Sequence, residues 1–135
     1  MKEEVQNWVD YAHEDLRMAE LALKEKIYNQ VCFHSQQCAE KILKALIEFK
    51  GRIHPQTHKL ADLLSSVPEN PFEDIRNNIL LLDRFYIPTR YPDALPGNLR
   101  EGLPKEDDAE EATSLFKPCH VGHLLGEWVW YMWEK

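Results

Sequence analysis

Residues Val31–Gly51 read VCFHSQQCAEKILKALIEFKG, and the spacing within this stretch decides the fold. Val31, Ser35, Cys38, Ile42, Ala45, Leu46 and Phe49 recur at steps of three and four, which places them on one face of an α-helix. Cys32, Leu43 and Ile47 form a second apolar stripe beside the first. A helix that is apolar over this much of its circumference packs on more than one neighbour, so the stretch predicts a central helix. The polar remainder is a narrow stripe of His34, Gln37, Lys41, Lys44 and Glu48. Gly51 ends the helix, because glycine takes the left-handed conformation just past a helix without steric cost.

Upstream, Val5, Trp8, Val9, Ala12, Leu16, Ala19 and Leu23 predict an amphipathic helix over residues 3–25. Asp10, Glu14, Arg17, Glu20 and Lys24 form its solvated face. Lys26–Gln30 is a short link with Asn29 as turn or cap residue, so the two helices form an antiparallel hairpin. Downstream, Pro55 excludes a continued helix and Thr57 offers an N-cap for a short helix with Leu60, Leu63, Leu64 and Val67 on its apolar face. Asn70-Pro71 reads as the start of the next helix, which Phe72, Ile75, Ile79, Leu82 and Phe85 or Tyr86 would bury. Pro88, Pro92, Pro96 and Pro104, with Gly97 and Gly102, predict a long irregular loop over residues 87–105. A last helical region begins near Glu106, carries Ala109, Ala112 and Phe116, meets a break at Pro118, and resumes with Val121, Leu124, Leu125, Trp128 and Met132. No stretch alternates as a strand does. The expected fold is all-α, an up-and-down bundle of four long helices plus one short helix in a single domain, residues 1–135.

The chain of 135 residues is long enough to bury a core, and 44% hydrophobic content is ordinary for a globular domain. Sixteen basic against 23 acidic side chains give a net charge of −7, which argues against a dominant nucleic-acid-binding face. Three cysteines without paired spacing predict no disulfide framework and a reducing compartment. The opening MKEEVQNW has no apolar targeting core, and no apolar run is long enough to span a membrane. These features lead to the expectation of a cytoplasmic protein.

The order FHSQQCAEKILKALIEFKG, then the P-x-T-H-x-L of Pro55–Leu60, then Tyr86 and the RYPD of Arg90–Asp93, resembles the HEPN (higher eukaryote and prokaryote nucleotide-binding) domain family. The opening Trp8, Ala12, Asp15, Leu16 and Ala19 fit the same pattern. The resemblance implies a helical bundle that forms a homodimer, binds a nucleotide or serves as an adaptor, and pairs with a minimal nucleotidyltransferase protein in toxin–antitoxin or defence systems. No cofactor is expected. Many relatives are metal-independent RNases with a helix-borne Arg-x(4–6)-His motif. Here Arg76-Asn77 opens like that motif, but Leu81, Leu82 and Asp83 stand where the histidine belongs, so the reading leans away from an enzyme. Arg52 and His58 have the spacing, with Pro55 between them, and are the catalytic candidates of the alternative, an RNase toxin.

Chemistry narrows the candidates further. Metal-independent RNA cleavage needs a histidine to move the 2′-hydroxyl proton and a cation to stabilise charge at phosphorus. Arg52 and His58 supply both types, with Lys59 as a further cation; otherwise His58 bonds locally at the start of the short helix. Arg90 can grip phosphate bidentately, Tyr91 offers a stacking face and Asp93 a ribose or arginine partner, or Arg90 and Asp93 pin the loop by an internal ion pair. His34 and Lys41, with Gln37 and Lys44, either line a nucleotide groove or form a solvated face or the rim of a dimer contact, the second being the ordinary role of a polar stripe. Together the nucleotide-binding candidates are Arg90, Tyr91, Asp93, His58, Lys59, His34 and Lys41. His34 with Cys38, and Cys119 with His120 and His123, lack the spacing of a zinc site, and no metal is expected. Trp128, Trp130, Tyr131 and Trp133 cannot share one face, which predicts a partner surface at the C-terminus.

Overall fold

The structure, a computed structural model, describes residues 2–67, 73, 76–85 and 105–113. In chain order these form α1 (Glu3–Lys24), α2 (Tyr28–Phe49), α3 (Leu60–Ser65), α4 (Arg76–Leu81), a 3-10 turn (Leu82–Phe85) and α5 (Glu106–Thr113). Helix α2 is central, as its apolar circumference predicts: α1, α3, α5 and the 3-10 turn all pack on it. Val31, Cys32, Cys38, Ile42, Leu43, Ala45, Leu46 and Ile47 are buried, so both apolar stripes are core.

Helix α1 covers the longest side of α2. Trp8 meets Lys44, Tyr11 meets Lys41, and Asp15 meets both Lys41 and His34. One residue number climbs as the other falls, so the pair is an antiparallel hairpin. Its buried apolar residues are Val5, Val9, Ala12, Ala19 and Ala22. Leu23, expected in the core, is 36% exposed, and the smaller Ala22 takes the buried position. The link is shorter than expected: α2 begins at Tyr28, which places Asn29 inside the helix.

Both long helices end in the same way. After α2, the Gly51 N–H donates to the Glu48 carbonyl at 2.9 Å and the Arg52 N–H to the Ile47 carbonyl at 3.1 Å, with Gly51 at φ 75°. After α1, the Lys26 N–H donates to the Leu23 carbonyl at 3.1 Å and the Ile27 N–H to the Ala22 carbonyl at 2.9 Å, with Lys26 at φ 61°. These are paired Schellman closures that satisfy otherwise orphaned carbonyls. One uses the residue suited to left-handed backbone and the other does not.

The short helix α3 buries Leu60, Leu63 and Leu64. Its N-cap is Lys59 and not Thr57, and no cap side chain bonds the first turn. Asp83 supplies the acceptors instead, taking the Leu60 N–H at 2.7 Å and the Ala61 N–H at 3.2 Å. Thr57 braces the approach, accepting the Lys59 N–H at 3.1 Å and donating to Asp62 at 3.0 Å. Half-burial raises the Asp83 carboxyl above its ordinary pKa of 3.8, against the lowering effect of those two N–H bonds.

The expected count of four long helices is not reached among the described residues. Two helices have 22 residues, whereas α3 and α4 have six each and α5 has eight. Helix α4 tightens into the 3-10 turn at Leu82, which carries Asp83 to α3 and buries Leu82 beside Ile79. Helix α5 seats fully buried Ala109 in the core. No strand occurs among the described residues. Asn70-Pro71, Phe72, Ile75, Tyr86, Pro118 and the C-terminal aromatics lie outside them.

Candidate functional site

The polar stripe of α2 is not a solvated face. His34, Gln37, Lys41 and Glu48 are only partly accessible and Lys44 is buried, because α1 and the segment after Gly51 lie over the stripe. Asp15, buried on α1, is the acceptor that receives it. His34 Nδ1 lies 2.8 Å from one Asp15 oxygen, and Lys41 Nζ bonds the other. The side chains of Asp15, His34 and Lys41 are 10%, 17% and 23% exposed. The Lys41 ammonium also stands 5.9 Å from the ring centre of Tyr11, and Phe33 meets the His34 ring edge-on at 5.1 Å.

A second carboxylate gathers a matching set on the neighbouring flank of α2. Glu40 Oε1 lies 3.0 Å from His58 Nδ1, and Glu40 Oε2 lies 3.4 Å from Lys44 Nζ. Lys44 also sits 5.5 Å from the ring centre of Trp8. Buried Gln36 anchors the loop backbone by donating to the His58 carbonyl at 3.0 Å, and Gln37 donates to Gln36 at 2.7 Å. Each carboxylate therefore holds one imidazole by Nδ1 and one ammonium. An N–H donor at Nδ1 fixes the tautomer and leaves Nε2 of the neutral ring as its acceptor nitrogen. Such buried ionic sets do not outperform apolar packing of the same volume, so their stabilising value alone does not account for them.

Cys38 lies in the same neighbourhood and is inert. Burial pushes its thiol far above the ordinary range, the Asp15 charge adds to the effect and Lys41 opposes it, so it stays a neutral apolar group. Among the described residues no group of three His, Cys, Asp or Glu side chains is placed to hold a metal ion. Cys119, His120 and His123 lie outside them. Among the described residues no helix is long and apolar enough to cross a membrane.

Arg52 and His58 engage different partners. Arg52 donates to the Ser66 carbonyl at 3.1 Å, while the His58 side chain, 58% exposed, bonds Glu40. Between the start of α1 and the end of α2 a cleft of about 470 Å³ is lined by Lys2, Glu4, Glu48, Arg52, His54 and neighbours. His54 is tied there to Glu48 at 3.3 Å and meets Trp8 edge-on. Lys59 is exposed at the start of α3. Arg76 pairs with Glu73 at 4.0 Å, and Asp83, where the RNase motif would have histidine, caps α3. Arg90, Tyr91 and Asp93 lie outside the described residues.

Sequence reasoning passed over Gln36 and Glu40 and used Asp15 only as part of a pattern. Their signal was present as polar residues inside apolar spacing. Asp15 interrupts the run Ala12–Ala19, and Gln36 and Glu40 stand between Cys32 and Leu43 at steps of three and four. A charged residue at a core position requires a partner, and here two histidines and two lysines supply it.

Comparison with known proteins places these features in a context. A family model described as HEPN domain matches residues 5–117. "Putative toxin MJ1304" of Methanocaldococcus jannaschii is 32% identical over 115 residues, covering 77% of this chain and 75% of the relative. The crystal structure of TT1696 from Thermus thermophilus superposes with a TM-score of 0.70 at 36% identity, over 84% of this chain and 90% of the other. ST0689, an archaeal HEPN homologue, superposes with a TM-score of 0.62 at 37% identity, over 84% and 88%.

Proposed function

The chain belongs to the HEPN domain family, and on that basis we propose that residues 1–135 act as one nucleotide-binding or adaptor module of toxin–antitoxin type, paired with a minimal nucleotidyltransferase. The toxin named among its relatives supports the setting. One observation carries the binding role: the α1–α2 seam keeps Asp15, His34, Lys41, Glu40 and Lys44 largely shielded from water, at a cost that apolar residues would avoid. Two ammonium groups, joined by two imidazoles when these are protonated at Nε2, are donors that suit a nucleotide phosphate. Arg90, Tyr91 and Asp93, with His58 and Lys59, complete the proposed set.

Titration of the purified chain with nucleoside mono-, di- and triphosphates by calorimetry tests this reading. Saturable binding that falls in Arg90→Ala or Lys41→Met agrees with it, and absence of heat with every nucleotide refutes it. Homodimerisation and the nucleotidyltransferase partner are tested by light scattering of the chain alone and after co-expression.

A second reading, a metal-independent RNase toxin, is favoured by the way Glu40 orients exposed His58, as a general base is oriented. Labelled RNA incubated without metal decides it. Cleavage by the wild type that disappears in His58→Ala establishes the RNase, and intact RNA in both removes it.

A further inference from the structure

Four features coincide at the Asp15 end of the seam. His34 gives Nδ1 to Asp15, and among the described residues no protein group meets its Nε2. Lys41 has three donors and spends one on Asp15. Tyr11 presents a ring that is 57% exposed beside the Lys41 ammonium. The charged groups facing one another are Asp15 and, by its effect at Cys38, Glu20 from α1, and Lys41 from α2, with the Cys38 thiol neutral. With His34 neutral, Asp15, Glu20 and Lys41 leave one net negative charge, and Nε2 carries a lone pair that no phosphate oxygen can approach favourably. With His34 protonated, Nε2 becomes a donor, the net negative charge of the set is cancelled, and Lys41 keeps two further donors for the same ligand.

We propose that Asp15, His34, Lys41 and Tyr11 form a proton-coupled nucleotide subsite: the phosphate seats on His34 Nε2 and Lys41, the base stacks on Tyr11, and His34 takes up a proton as the site fills. The inference rests on the nucleotide-binding reading above and deepens it. Asp15 is a positioning residue, because both of its oxygens are taken by the two donors it holds. Linkage is reciprocal, so a ligand that binds the protonated form draws in the proton, and affinity falls by up to about tenfold per pH unit where that proton must be taken up. The second ionisation of a phosphate monoester, near pH ~6, runs in the opposite direction and does not imitate this trend.

Calorimetry of the full chain with AMP and with inorganic phosphate, at about pH 6.5 and about pH 8 in buffers of different ionisation heat, counts the protons taken up. Wild type is expected to bind AMP roughly tenfold more tightly at the lower pH, with net proton uptake. His34→Gln, which keeps a side-chain donor, should lose the pH dependence while circular dichroism stays unchanged. Tyr11→Ala, on the exposed face of α1, should weaken AMP and leave phosphate unaffected. If AMP binding and its pH dependence survive His34→Gln and Lys41→Met but disappear in Arg90→Ala, this subsite is wrong and the nucleotide reading stands. If neither AMP nor any other nucleotide binds wild type, both fall.

Discussion

The two carboxylates that serve α2 make the same contacts in different surroundings. Asp15 reaches across from α1 and joins two long helices, with partners 17% and 23% exposed. Glu40 belongs to α2 itself; it is 5% exposed and pairs with nearly buried Lys44 on one oxygen and with surface-exposed His58 on the other. The Asp15 set therefore fastens elements that apolar packing already joins, whereas the Glu40 set ties a loop to the bundle. Equal chemistry thus serves unequal purposes. Shielding determines how much a lost partner costs, and chain connectivity determines what comes loose.

Removing each carboxylate separates the two effects. Glu40→Ala should cost the most, about 3–5 kcal/mol, because Lys44 is left charged and buried. Urea denaturation measures it, and a loss no greater than for Asp15→Ala would erase the distinction between the two sets. Asp15→Ala should cost about 1–3 kcal/mol, since His34 and Lys41 retain access to water. Asp83→Ala should cost about 1–2 kcal/mol through lost capping of α3.

Asp83 also provides a pH test. Its folded pKa is raised above 3.8 by burial, so the folded chain holds that proton more tightly than the unfolded chain. Stability from this group is accordingly highest below 3.8 and declines as pH rises through the folded value. Asp83→Asn should flatten that slope in urea melts from about pH 3 to about pH 6, whereas an unchanged slope assigns the effect to other carboxyls.

The smallest effects concern the two helix ends. Gly51→Ala should cost about 1 kcal/mol from backbone strain alone, as a Cβ there meets nothing within 4 Å. Lys26→Gly should gain about 0.5–1 kcal/mol by relieving the left-handed lysine, less the added freedom of the unfolded chain. Thermal melts of both variants check the opposite signs.

What the sequence made legible follows the range of the forces involved. Apolar spacing located α1 and α2 to within a few residues, and Gly51 marked its closure, because helix periodicity and left-handed backbone are local properties. Lys26 gave no such sign, since its conformation is imposed by the hairpin. Thr57 looked like the cap of α3, yet the acceptor is Asp83, 23 residues ahead of Leu60, and no local rule reaches that far. The site divides in the same way. His34 and Lys41 were identifiable as candidates, but their burial was not, because it depends on Asp15 arriving from another helix. Only the polar interruptions in otherwise apolar runs at Asp15, Gln36 and Glu40 pointed to it.

The reach of Asp83 has a consequence for the order in which the protein matures during synthesis. A six-residue helix does not persist on its own, and the first amides of α3 find their acceptors only once residue 83 has left the ribosome. The α1–α2 hairpin, by contrast, is complete by residue 51, and the faces these two helices turn to each other pack without α3. A nascent chain halted between these points should already protect the amides of α2 from hydrogen exchange and leave those of α3 open, so α3 is fixed by what the chain makes after it.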